Sequence, residues 1–211
     1  MPGVTISADY GAGGSVVAPA VARQLGIQLL DRAISVEVAA KLNLSVQEAE
    51  EGAARRRFAD RFLSVLAPLA SGVLGAGTDA APPDAEPVPD EAAAFREQAE
   101  RIIRAALPAG AVVLGRAGAA ALRDEPDVLR VRLFGSPERR QAQSMAGERI
   151  DMETARTRMT QVDAARELYV WRLYRVSAAD PSLYHLQIDS TTISLQSCTD
   201  LIVRAYRSLV G

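Results

Sequence analysis

Apolar and polar positions along the chain follow two periods in turn. Val4-Thr5-Ile6-Ser7 alternates residue by residue and runs into Gly11-Ala12-Gly13-Gly14, which predicts a first strand ending in a tight loop. From Ser15 to Leu25 the spacing turns helical, with Val17, Val21 and Leu25 on one face. Pro19 falls near the start of that helix, where its missing N–H does little harm. Gly26 closes the helix, and Ile27-Gln28-Leu29-Leu30 is a short apolar run stopped by Asp31-Arg32. Helical spacing returns over 35–42 and again after Ser45, which stands at capping-box distance from Glu48. Over 55–69 it puts Phe58, Phe62, Leu66 and Leu69 on one face.

Between 72 and 89 the periodicity gives way to Gly, Ala, Pro and Asp, which reads as a mobile connection inside one domain. A helix is predicted from Phe95 to Leu107, then a buried strand at Ala111-Val112-Val113-Leu114 ended by Gly115-Arg116. Leu129 to Phe134 is another strand, Ser136-Pro137-Glu138 opens a helix, and 152–174 is long, charged and helical. His185 to Asp189 is a last strand, and Ser194 caps a final helix. Short apolar strands alternating with helices predict an α/β fold, a parallel sheet covered on both faces, in a single domain over 1–211.

Composition narrows the function. The chain has 211 residues, 24 basic against 26 acidic, so a broadly basic surface for nucleic acid is not expected. With one Cys and one His it has neither an internal disulfide nor the usual ligands of a zinc site. No apolar run is long enough to span a membrane and no signal peptide is evident, so a cytoplasmic location is expected. Lys41 is the single lysine, so a catalytic or binding cation elsewhere must be an arginine. Arg55-Arg56-Arg57 reads as a solvated helix face, Tyr169, Trp171 and Tyr174 as packing residues, and Cys198 as a small buried apolar residue. His185, with no second ligand near it, reads as a core or edge residue.

Strand, glycine loop, helix is the arrangement that offers backbone N–H groups and a helix N-terminus to a phosphate. The loop is Gly11, Ala12, Gly13, Gly14, Ser15, Val16. In a Walker pattern Gly14 would hold the lysine position and Val16 the magnesium-binding hydroxyl. A dinucleotide fingerprint would require glycine at Val16, although an acid does follow at Asp31. The loop alone leaves both readings open.

Further residues extend the pattern: Ile6-Ser7, Tyr10 to Gly14, Leu25-Gly26, Leu30-Asp31-Arg32, Val113 to Gly118, Val162 to Tyr169, and Asp180 to Leu186. In that order they resemble the cytidylate kinase-like family, P-loop proteins related to CMP kinase. The resemblance implies a parallel-sheet P-loop NTPase core of nucleoside monophosphate kinase type. It implies a helical NMP-binding insertion over 35–95 and a lid over 138–175. It places the phosphates of ATP on Gly11 to Val16 and the acceptor nucleotide near Asp31, Arg32 and Arg116. It assigns catalytic lid roles to Asp163, Arg166, Arg149 and Arg156, with Arg140 and Arg158 nearby. Magnesium would be held by the nucleotide and water, with Ser15 as the stand-in hydroxyl, and no protein metal site is implied.

The chain also departs from the family. Ala8 and Ser15 stand where relatives carry arginine, Val16 where they carry glutamate, and Gln143, Gly147 and Gln161 where basic residues are common. The expected activity is ATP- and magnesium-dependent phosphoryl transfer to a nucleoside monophosphate, CMP or dCMP by the resemblance. Its alternatives are a non-catalytic nucleotide-binding module on the same fold and a dinucleotide-dependent oxidoreductase.

Overall fold

The structure, a computed structural model, describes residues 3–31 and 89–211. Arg32, Arg55 to Arg57, the helices expected between 35 and 69, and the connection over 72–89 lie outside the described residues. The first strand, β1 (Gly3–Ala8), feeds the glycine loop and helix α1 (Gly14–Leu25), which is followed by β2 (Gln28–Leu30). After the gap come α2 (Pro89–Ala106), β3 (Ala111–Leu114), the short α3 (Gly118–Ala121) and β4 (Val128–Phe134). The chain continues through α4 (Pro137–Glu148), α5 (Met152–Tyr174), β5 (Leu186–Asp189) and α6 (Leu195–Val210).

The strands form one sheet in the order β2-β3-β1-β4-β5, and every pairing is parallel. β1 therefore sits at the centre, with β3 and β4 on either side of its C-terminal end. A dinucleotide-binding sheet keeps its second strand beside its first. Here β3 occupies that place, and the oxidoreductase alternative is set aside.

Alternation along the strands decides which face each side chain serves. Val4, Ile6, Val112, Leu114, Leu129, Val131, Leu133 and Ile188 pack with Val17, Val21, Ile202 and Tyr206 of α1 and α6. The intervening residues of β3 and β4 turn to the other face, where Val113 and Val128 meet Ile103 and Leu122. Tyr169, Val170 and Leu173 of α5 cover the remainder of that side.

Local chemistry sets the helix ends. Gly26 ends α1 at φ 67°, and its N–H bonds back to carbonyls of the last turn. Ser136, Asp151 and Ser194 cap α4, α5 and α6, each accepting from a backbone N–H three residues on. No described helix is long and apolar enough to cross a membrane.

Candidate functional site

The loop after β1 takes its shape from what its carbonyls bond to. Ala8 O accepts from the Arg166 guanidinium and Asp9 O from Ala12 N–H at 3.0 Å. Tyr10 O accepts from Arg140 Nη1 at 2.9 Å, Gly11 O from Gln143 Nε2 at 2.9 Å, and Ala12 O from the buried Ser190 hydroxyl at 2.7 Å. Gly13 O accepts from Val16 and Val17 N–H at 2.9 and 3.0 Å. Every carbonyl from Ala8 to Gly13 is thus held by a donor. The N–H groups of Gly11, Gly13, Gly14 and Ser15 have no acceptor among the described residues. A run of backbone with bound carbonyls and open amides, leading into a helix N-terminus, has the geometry suited to an anion.

Two of the glycines are dictated by crowding behind the loop. A Cβ on Gly11, at φ 78°, would stand 2.3 Å from Arg140 O, and one on Gly13, at φ 75°, 2.4 Å from the Leu195 side chain. The exposed first turn of α1 carries Ser15 and Val16 side by side, so its hydroxyl is that of Ser15. No cluster of three or more His, Cys, Asp or Glu able to hold a metal occurs among the described residues.

Arg140 and Asp163 form the hub behind the loop. Arg140 Nη1 meets Asp163 Oδ2 at 2.6 Å, and Arg140 Nε donates to Gly135 O at 3.1 Å. Asp163 Oδ1 accepts from Tyr10 N–H at 2.8 Å. Both oxygens of Asp163 are therefore engaged in joining α5 to α4 and to the loop. Tyr10 adds a second tie: its hydroxyl donates to Glu148 at 2.8 Å, and Arg158 donates to the same oxygen at 2.8 Å. Burial, and then the Glu148 carboxylate, push the Tyr10 phenol up to about 12, so it remains a donor at neutral pH.

Beside the loop, between the C-terminal ends of β1, β3 and β4 and the α5 helix, lies a cavity of about 270 Å³. Its charged lining comes from Asp9, Arg116, Arg132, Asp163, Arg166 and Glu167. Arg116 stands at φ 53° and is followed by Ala117, also at φ 53°. Two consecutive left-handed residues other than glycine are costly, and such strain collects where a side chain must be aimed. The Arg116 guanidinium donates to the backbone carbonyl of Asp31, so these two expected site residues touch, although Asp31 does not line the cavity. Arg166 reaches the cavity from α5, with Asp163 at 3.9 Å. Arg149, the left-handed C-cap of α4, and Arg156, on α5, are both exposed and do not line the cavity.

Sequence reading passes over Asp9, Arg132, Glu167 and Tyr184, all of which line the cavity. Asp9 pairs with Arg132 at 3.3 Å, and Arg132 Nη1 donates to Ala179 O at 3.2 Å. Burial raises the Asp9 carboxyl above its usual range, and the Arg132 guanidinium opposes that rise. The available signal is Val-Leu-Arg-Val-Arg-Leu-Phe in β4, where Arg130 and Arg132 put cations on the face opposite the one packed against α1 and α6.

The sequence profile of the cytidylate kinase-like family matches residues 3–192. No curated protein matches the chain. Among solved structures, an uncharacterized protein from Eubacterium ventriosum ATCC 27560 shares the fold with TM-score 0.61 and 18% identity, over 99% of each chain. A shikimate kinase from Acinetobacter baumannii in complex with shikimate aligns with TM-score 0.44 and 17% identity, over 99% of this chain and 94% of that one. A deoxyadenosine kinase from M. mycoides aligns with TM-score 0.46 and 10% identity, over 98% and 99%.

Replacing Arg140 by Ala leaves Asp163 Oδ2 and two carbonyls without this donor, and is expected to cost about 3–5 kcal/mol in denaturant unfolding. A loss below about 1 kcal/mol would contradict the hub. Asp9 binds its proton more tightly in the folded state than in the unfolded one. Its contribution to stability is present at low pH and is lost as pH rises through the folded value. Asp9→Asn should therefore gain on the parent chain as pH rises from about 4 towards neutral, whatever its offset. Parallel stability curves across that range would contradict the assignment.

Proposed function

The chain belongs to the cytidylate kinase-like family, and from that premise we propose that it transfers a phosphoryl group from ATP to a nucleoside monophosphate, with CMP or dCMP as the acceptor. Family membership supports the coarser statement, a kinase-like phosphotransferase. The observation that carries the finer one is the open run of amides at Gly11, Gly13, Gly14 and Ser15 beside a cavity lined by arginines. Phosphoryl transfer needs two phosphates held in line and the charge of the moving group neutralised.

These residues fit a nucleotide. The open amides and the α1 N-terminus would hold the phosphates of the donor, and Ser15 is the hydroxyl nearest a nucleotide-bound magnesium. When bound, ATP supplies the phosphoryl group and its magnesium supplies countercharge. Arg116 would take the acceptor phosphate at the β3 side of the cavity, where the strained turn aims it. Arg166, between the loop and α5, would face the charge that develops between the two phosphates. Arginine suits both tasks because its fork is planar and permanently charged. Packing α5 over the cavity limits the water around those charges.

A second reading, a nucleotide-binding module with little turnover, has one observation in its favour. Gly14 supplies no side chain at the lysine position, and Arg140 and Arg166 both donate to the loop's own carbonyls.

An ADP-release assay over a panel of monophosphates separates the two. The kinase reading expects acceptor-dependent ADP release that falls about 10²–10³-fold in Arg116→Ala and Arg166→Ala. For Arg166→Ala the fall in turnover should exceed the loss of nucleotide binding. Binding of ATP and monophosphate with no ADP formed would establish the second reading instead.

A further inference from the structure

The peptide that joins Tyr10 to Gly11 has one group fastened and one open. In a trans peptide the C=O and the N–H point in opposite directions. Arg140, by holding Tyr10 O at 2.9 Å, therefore turns the Gly11 N–H the other way. Gly14 offers no side chain at the lysine position, so amides must carry the grip on a phosphate. A hydrogen bond weakens steeply as it bends, which makes the direction of each amide matter.

What sets that direction is how Tyr10 is tied down. Its N–H donates to Asp163 of α5 at 2.8 Å, and its C=O accepts from Arg140 in the first turn of α4. The ring, 4% exposed, belongs to the buried cluster that holds Val162, Ala165 and Tyr169 of α5. Its hydroxyl donates to Glu148 Oε2 at 2.8 Å, and Arg158 of α5 donates to the same oxygen at 2.8 Å. Glu148 is the last residue of α4, about 12 Å along the helix from Arg140. One anchor would let the loop pivot about it; two anchors so far apart fix its direction too. The Arg158 and Glu148 side chains remain 34% and 38% exposed, and an ion pair that open to water adds little to stability.

We propose that the Tyr10 hydroxyl, Glu148 and Arg158 are positioning residues that aim the Gly11 amide at the donor phosphates. This rests on the reading that the loop holds ATP, and it adds residues that never touch the nucleotide. Arg158 holds the carboxylate, the carboxylate holds the phenol, and the phenol fixes the Cα from which the Gly11 peptide extends. The role needs an acceptor oxygen at position 148 but not its charge, so glutamine can fill it and alanine cannot.

The test is calorimetric titration of the full chain with magnesium-ATP and, separately, with CMP. It compares the parent with Tyr10→Phe, Glu148→Ala, Glu148→Gln and the Tyr10→Phe/Glu148→Ala double variant, with melting curves for each. ATP affinity is expected to fall at least about fivefold in Tyr10→Phe and in Glu148→Ala, and no further in the double variant. Glu148→Gln should stay within about twofold of the parent for ATP, and CMP affinity within about twofold throughout. A smaller loss of ATP affinity in the two single variants overturns the proposal, as does an equal loss for ATP and CMP, the mark of general loosening. Tighter ATP binding in both Glu148 variants would show a nearby charge and no positioning role, and overturns it as well. If Tyr10→Phe does not fold, the contrast between Glu148→Ala and Glu148→Gln decides. A parent that binds no ATP overturns the reading of the loop itself.

Discussion

An ion pair between the buried Arg140 and the half-buried Asp163 holds the site in shape. The Arg140 side chain is 10% exposed, and its bonds run to the loop at Tyr10, to Gly135 after β4 and to Asp163 on α5. Burying a charge is favourable only where partners replace the lost water, and here a carboxylate and two carbonyls do so. With Arg140 behind Tyr10, Gln143 behind Gly11 and Ser190 behind Ala12, the carbonyls are drawn to the rear of the loop and the amides are left open. The anion site follows from what is fastened behind the loop as much as from the glycines in it.

The same fastening bears on how the flap over the site can move. The family resemblance leads one to expect a lid over 138–175. Its first helix begins with the arginine-bearing turn that anchors Tyr10, and its second carries Asp163 and Arg166, both bonded to the β1–α1 segment. Closure about the start of α4 would have to break buried charge-assisted bonds. Rotation of α4 against α5 about their connection would break the Arg140–Asp163 pair and the Tyr10–Glu148–Arg158 ties as well. Arg149 and Arg156 lie exposed beside that connection, outside the cavity lining.

Much of the fold could be read from pattern. The strand periods, the Gly26 stop and the Ser194 cap each depend on a few adjacent residues, and each forms as the pattern predicts. The loop was legible for the same reason. Asp163 and Arg166 could be named from motif resemblance, but their jobs could not, because each depends on bonds to Ala8 and Tyr10 more than 150 positions away. Asp9 escaped notice because its meaning comes from Arg132, a residue on a strand that neighbours β1 only once the sheet has formed. The two arginines of β4 were a visible clue: a central parallel strand, covered on both faces, has reason to carry buried cations only where a cavity or a counterion receives them.

The central claim is that bound carbonyls leave four amides to grip phosphate. Amide resonances followed by two-dimensional NMR during titration of the full chain with magnesium-ATP test it most directly. The account predicts that Gly11, Gly13, Gly14 and Ser15 show the largest shifts, saturating together. Saturable binding that leaves those four amides in place while others move would contradict it.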